Sequence, residues 1–425
     1  MDTNMKKITF CNNYSIFFWL VAIAVLVLYD LTPRIDGFDK YYYFLAGEHL
    51  WNGQIDCLRT PVYPFLLKLS CVFFGEKGGI VGIIILQSII YLISVVSLRN
   101  IAKLFIKNRF IQWFVPFMYI ICVAPGWCNE MMTESLSISG CIIIVDMMCK
   151  YIEKPTFRLS IGIVLLTIFF VFLRPSFIFL FAILPFIWII LWIRNNRRLI
   201  QTLSFVFTLL CITAYFGYCK AYEKEYGVFT SSISFVCNDI YNLKRSGAWD
   251  IDKVSDQKAK EVIKKLDAEW GGNYSPIYNA VNSNHKDLKL ITQGCKEMKQ
   301  ASKSTLQRHQ LMITIGSFDK RFNASVNTHT TLSAILFGSS LFLALPLSIF
   351  YSIVVISCLA MVGYFVQKRT IPLIATVIIL STAAQCIGIV LFASEAHERL
   401  LLPVYPLFLV LLGIAVEKAI KLFTH

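Results

Sequence analysis

Four groups of ionisable residues stand at the edges of long apolar runs, and their types suit one kind of chemistry. Asp36 and Asp39 open a polar stretch that continues through Tyr41-Tyr42-Tyr43 to Arg59-Thr60-Pro61-Val62-Tyr63-Pro64. Glu130 and Glu134 sit between two apolar runs, Arg174 precedes Pro175, and His397-Glu398-Arg399 precedes Leu400-Leu401-Leu402-Pro403-Val404-Tyr405-Pro406. A carboxylate takes the proton from an attacking hydroxyl. Arginine grips a phosphate with two parallel hydrogen bonds and stabilises its charge as it departs. The set therefore suits transfer of a group from a phosphate to a hydroxyl. Asp39 is the first candidate for the base, Asp36 its rival, and Glu134 a supporting carboxylate. Arg59, Arg174, Arg399 and His397 are candidates for holding the phosphate. Tyr42, Tyr43 and Tyr63 offer aromatic faces to the group transferred.

Each group also has a plainer reading. The stretch from Asp36 to Ser70 would serve as an interfacial amphipathic helix with aromatic residues at headgroup level. Arg174 would snorkel from a helix end, Glu134 would complement a helix macrodipole beside a capping Thr133 or Asn129, and His397-Glu398-Arg399 would form surface ion pairs. The case for a site rests on all four falling on one side of a membrane, and that depends on the elements that carry them.

Of 425 residues, 56% are hydrophobic, and the mean hydropathy is +0.63. Few soluble domains are so apolar, and the composition implies an all-α polytopic membrane protein. The net charge of +14 gathers in short loops between apolar runs, where it orients the chain and does not mark a nucleic-acid surface. No RNA-binding or zinc-finger pattern accompanies it. The 13 cysteines show no CxxC or Cys/His metal spacing. Cys57, Cys237 and Cys295 fall in polar segments, and their pairing is left open.

A spanning helix needs about 20 apolar residues. Lys6 and Lys7 precede a first span over about 14–31, read as uncleaved and starting in the cytoplasm. Further spans are expected over about 79–98, 110–124, 159–173 and 200–218, with a fourth that returns to Lys150 and a sixth that ends at Arg194. Arg99 to Arg109, Lys150 to Arg158 and Arg194 to Arg198 fall on the cytoplasmic side that this alternation requires. The segment 220–330 then lies outside and is too long for a plain loop. An interfacial piece and three spans complete about ten, with both termini cytoplasmic. The expected parts are a transmembrane module over 1–219 with its first external loop at 32–78, a mostly helical external (periplasmic) domain over 220–330, and a second transmembrane module over 331–425. This parity puts all four ionisable groups on the external face.

Within the first loop, Asp39, Tyr43, Ala46 and Leu50 share a helical stripe, and Gly53 ends the helix. The order Asp, Tyr, Ala, Leu, Gly, then Arg-Thr-Pro-x-Tyr-Pro resembles the first external loop of the GT-C superfamily of membrane glycosyltransferases. Thr133-Glu134-Ser135, Leu173-Arg174-Pro175 and Glu398-Arg399 before Pro403-Val404-Tyr405-Pro406 extend the resemblance. It implies a GT-C-like fold and a hexosyl- or pentosyltransferase using a polyprenyl-phosphate-linked sugar. The acceptor would be an envelope glycan, a lipid or a protein, in a bacterial inner membrane. It also implies a catalytic role for the first-loop Asp, matched best by Asp39. The paired DE or DD of many members is absent, so metal ligands are unassigned and a divalent cation is an optional cofactor. No WWDYG-like sequence is present, which disfavours an oligosaccharyltransferase. An O-antigen polymerase or ligase is the first alternative; a lipid-linked-sugar flippase or transporter is the second, although Asp146 and Gln385 are among few polar residues within the spans. Partners are the lipid-linked sugar, the acceptor and membrane lipids, with no nucleic acid.

Overall fold

The computed structural model describes residues 19–24, 38–122, 125–194, 198–270, 274–315, 373–392 and 402–423. The described residues form helices joined by short turns, without a β-strand among them. Four helical stretches among them are long and apolar enough to cross a membrane: Val62–Phe105, Glu134–Glu153, Pro175–Arg194 and Arg198–Tyr226. Phe157–Leu173, Leu373–Gln385 and Leu402–Ile414 are shorter apolar helices. The first span expected at about 14–31 and the apolar region 332–365 lie largely or wholly outside the described residues.

Helix α1, Phe38–Trp51, is the expected first-loop helix, and Tyr43 and Ala46 on its stripe are buried. It ends where Gly53 takes φ +74°, a left-handed conformation that costs glycine little. Helix α2, Val62–Phe105, is longer than the span expected at 79–98. Gly75, at φ +71°, folds it into two arms. The Ser70 hydroxyl donates to the Gly79 carbonyl at 2.9 Å, and a Cβ on Gly79 would lie 2.6 Å from the Cys71 backbone. Small residues thus allow the arms to close on each other. On the second arm Val81, Ile85, Ile89, Ile93 and Val96 recur at nearly helical spacing and are exposed, as a lipid-facing stripe requires.

Helix α3, Arg109–Cys122, precedes α4, Glu134–Glu153, which packs along α2 and is the most buried of the four spanning candidates. Helix α5, Phe157–Leu173, crosses α4 where Gly140 faces the Phe170 ring. After a 3-10 turn at Pro175–Phe179 come α6, Leu180–Arg194, and α7, Arg198–Tyr226. Lipid supplies little hydrophobic drive for helix association, so packing and hydrogen bonds must hold the bundle. Tyr151 donates to Gln201 at 2.7 Å, Trp188 to Thr208 at 2.9 Å, and Ser94 pairs with Tyr119 at 2.8 Å. Asp146 is paired with Lys150 one turn on, at 2.7 Å.

Beyond α7 lie α8, Ser234–Arg245; α9, Gln257–Trp270; α10, Tyr274–Ser283; α11, Leu288–Ala301; and α12, Lys303–Ile315. Their amphipathic faces share a second core built on Val236, Ile240, Ile263, Leu266, Ile291 and Met298, which Cys57 and Leu58 of the first loop join. Helix α13, Leu373–Phe392, and α14, Tyr405–Phe423, return to the bundle. Glu417 on α14 accepts the backbone N–H groups of Lys107 and Asn108, so the far ends of α2 and α14 meet.

Gly140 carries the closest of these approaches: an added Cβ would fall 1.8 Å from the Phe170 ring. Gly140→Ala should destabilise the bundle by about 2 kcal/mol through overpacking. Thermal unfolding in detergent checks this, and Phe170→Ala in the same chain should recover part of the loss.

Candidate functional site

The site assembles where the segment between α1 and α2 meets neighbouring ends of α2, α4 and α5. Pro61 caps α2, with φ −73°, and Pro64 lies in its first turn, where a missing N–H breaks no helical bond. Tyr63 comes two residues after the cap and is fully buried. Its hydroxyl donates to Gln87 Oε1 at 2.9 Å, and its ring meets the Tyr43 ring edge-on at 4.7 Å between centroids. The Arg59 guanidinium lies over Tyr43, 4.5 Å from the ring centre, in cation–π geometry.

Gln87 comes from the middle of α2 and is fully buried. Its amide nitrogen donates to the Cys128 and Glu130 carbonyls, each at 2.9 Å. One side chain thus fixes Tyr63 and the turn that leads to α4. Glu130 is buried, and Glu134, in the first turn of α4, has no exposed side chain. Thr133 makes no side-chain capping bond; its carbonyl receives the Ser137 hydroxyl at 2.6 Å. The capping role considered for Thr133 is therefore not the one its side chain has here.

Glu134 faces Arg174. The guanidinium and carboxylate approach to 3.5 Å, with the Arg174 side chain 12% exposed. A proline biases the residue before it towards extended backbone, and Arg174, before Pro175, has φ −152° and ψ 119°. That break ends α5 and turns Arg174 towards α4, so it does not merely snorkel from a helix end. Thr60 completes the arrangement: its hydroxyl donates to the Leu173 carbonyl at 3.1 Å, joining positions 113 residues apart. The turns bearing Arg59 and Arg174 are therefore neighbours. The buried turn Leu402–Val404 packs against α4 as well, bringing the segment after Arg399 to the same helix.

On its other side the first loop is held by α7 and α8. The Cys57 carbonyl receives the Ile233 N–H at 2.9 Å and the Tyr222 hydroxyl at 2.8 Å, and the Ile55 carbonyl receives the Tyr226 hydroxyl at 2.6 Å. Tyr42 donates to Asn279 of α10 at 2.7 Å. Cys57, Cys237 and Cys295 are buried free thiols. Burial pushes the Cys57 thiol up to about 11, opposed by its contact with Tyr222 and reinforced by Asp56. Burial also raises Cys237 and Cys295, so these thiols are poor nucleophiles at neutral pH.

Of the residues singled out in the sequence, Arg59, Tyr43, Tyr63, Glu134 and Arg174 come together. Tyr42 faces α10. Asp39 lies at the start of α1, with its side chain outside the described ones. Asp36, His397 and Arg399 lie outside the described residues. Gln87 is absent from the sequence-based candidates, although an amide within an apolar span is a recognisable signal. Among the described residues no group of three or more His, Cys, Asp or Glu side chains is arranged to hold a metal ion.

No family model and no curated protein matches the chain. Among solved structures it is similar to the archaeal oligosaccharyltransferase AglB from Archaeoglobus fulgidus, in complex with an inhibitory peptide and a dolichol-phosphate. The identity is 10% and the TM-score 0.47, over 95% of this chain and 51% of that one. It is also similar to the Archaeoglobus fulgidus oligosaccharyltransferase tethered with an acceptor peptide containing the NVT sequon via a disulfide bond. There the identity is 10% and the TM-score 0.49, over 95% and 49% of the two chains. This chain thus spans about half the length of these structures. At such identity and score the likeness carries no conclusion about activity.

Breaking a buried ion pair from one side costs more than removing it whole. Glu134→Gln should lower stability by roughly 3 kcal/mol. The double variant Glu134→Gln with Arg174→Gln should regain part of that. Thermal unfolding of matched detergent samples measures both.

Proposed function

We propose that the chain is a membrane glycosyltransferase that moves a sugar from a polyprenyl-phosphate donor to an acceptor hydroxyl on the external face. The observation that carries this reading is the meeting of the Arg59 and Arg174 turns through Thr60, beside buried Glu134, at the ends of apolar helices. Two cations from distant parts of the chain at that level suit a phosphate tethered in the bilayer.

In the proposed reaction Asp39 takes the proton from the acceptor hydroxyl. The oxygen attacks the anomeric carbon, and the bond from that carbon to the phosphate oxygen breaks. The electron pair leaves with the polyprenyl phosphate, whose charge Arg59 and Arg399 stabilise, with Arg174 and His397 in support. Tyr42 flanks the sugar, and Tyr43, itself buried, acts by carrying Arg59 on its ring. Tyr63, having no exposed surface, acts by holding Tyr43. Fully buried Glu134 acts through Arg174, and Asp36 is the second first-loop carboxylate. Of the two supporting carboxylates considered for an optional divalent cation, Asp36 and Glu134, Glu134 is paired with Arg174, which leaves Asp36.

In this reading the chain has about ten spans with both termini cytoplasmic, in a bacterial inner membrane, divided at 1–219, 220–330 and 331–425. The acceptor is an envelope glycan, a lipid or a protein. A flippase would need charged or broken helices at mid-membrane, whereas Asp146 is paired with Lys150. A polymerase or ligase is the alternative if the donor proves to be a diphosphate-linked repeat.

Asp39→Asn removes the basic lone pair with little change of shape. Sugar transfer in membranes with matched protein levels should fall by about 10²–10⁴, and Asp36→Asn should cost less. If Asp36→Asn alone is inactive, the base is Asp36. If both variants keep full activity, the proposed mechanism fails.

A further inference from the structure

One buried carboxylate has no part in that mechanism. Asp56 lies between the end of α1 and Arg59, with its side chain 7% exposed. Its Oδ1 accepts the backbone N–H groups of Leu58 at 2.9 Å and of Arg59 at 2.6 Å. Its Oδ2 lies 2.8 Å from His49 Nδ1, on the last turn of α1. A carboxylate so buried is costly unless its lone pairs are filled, and here both oxygens are engaged.

Aspartate often closes a turn by accepting an amide two residues on, and the Leu58 bond alone would do that. The remaining contacts go further. The same oxygen also holds the amide of Arg59, while the other oxygen is tied to the helix bearing Tyr43. The Arg59 guanidinium lies over that Tyr43 ring. Asp56 therefore fixes the spacing between the backbone origin of Arg59 and the aromatic ring on which its cation rests. Its lone pairs face amides and an imidazole, so it constrains the arginine through the main chain.

We propose that Asp56 is a positioning residue for Arg59, holding the guanidinium in the geometry that receives the donor phosphate. The proposal rests on the reading of Arg59 as a phosphate ligand. Pro61 restrains the backbone after Arg59, and Asp56 restrains the backbone before it.

The test measures binding of undecaprenyl monophosphate to the purified full chain in nanodiscs, beside thermal unfolding of each sample. Asp56→Asn keeps an acceptor for both amides and should bind within about threefold of wild type. Asp56→Ala should weaken binding about tenfold. In an Arg59→Gln background, Asp56→Ala should cause no further loss, because a residue that acts through Arg59 has nothing left to position. A purely structural role would lower the unfolding temperature and give additive losses, which overturns the proposal. Unchanged binding in Asp56→Ala also overturns it and leaves the phosphate reading intact. If Asp56→Ala does not insert, His49→Ala takes its place: it should weaken binding about threefold, but only when Arg59 is present, and no loss counts against the proposal. If wild type binds no undecaprenyl monophosphate, the phosphate reading fails and this inference fails with it.

Discussion

A polar turn that enters an apolar core must have its hydrogen-bonding groups matched, and the turn from Ile55 to Thr60 is matched from several directions. The Ile55 and Cys57 carbonyls receive donors from α7 and from the residue before α8. The Thr60 hydroxyl reaches the end of α5. These bonds join three parts of the fold: the first-loop helix, the spanning bundle and the helices after α7. Loss of both donors to the Cys57 carbonyl would leave a buried acceptor unsatisfied, at about 1–3 kcal/mol. The turn is therefore specified by the whole structure, and so is the place of Arg59.

This constraint accounts for features that otherwise look unrelated. Gln87 uses both ends of its amide to hold Tyr63 against the turn before α4. Gly75 lets the first arm of α2 fold back along the second, which brings Tyr63 level with Gln87. Gly47 allows α1 to lie on that arm, where a Cβ would stand 3.0 Å from the Pro64 carbonyl. Glycines at close contacts and a buried amide do here what a larger apolar core does in a soluble protein.

Local features of this arrangement are legible in the sequence. The Tyr43 and Ala46 stripe, the break at Gly53 and the proline-fixed start of α2 come from periodicity and proline geometry. The features that are not legible depend on partners far away in the chain. Nothing near Asp56 announces that its carboxylate holds Arg59, and nothing near Gln87 announces Cys128 or Glu130. In sequence the first arm of α2 reads as an approach to a span, because an apolar run with Gly75 in it suits either a loop edge or a helical hairpin. Tyr63 reads as a residue facing a ligand, since a tyrosine at a proline turn looks the same in sequence whether exposed or buried.

The central claim is that the Arg59 turn receives a lipid-borne phosphate. It is tested most directly by extracting the lipids that co-purify with the chain and identifying their headgroups by mass spectrometry, beside an Arg59→Ala sample. The account predicts a polyprenyl phosphate, with or without its sugar, on the wild-type chain and its depletion from the variant. Ordinary phospholipids alone, in the same amounts on both, would contradict it.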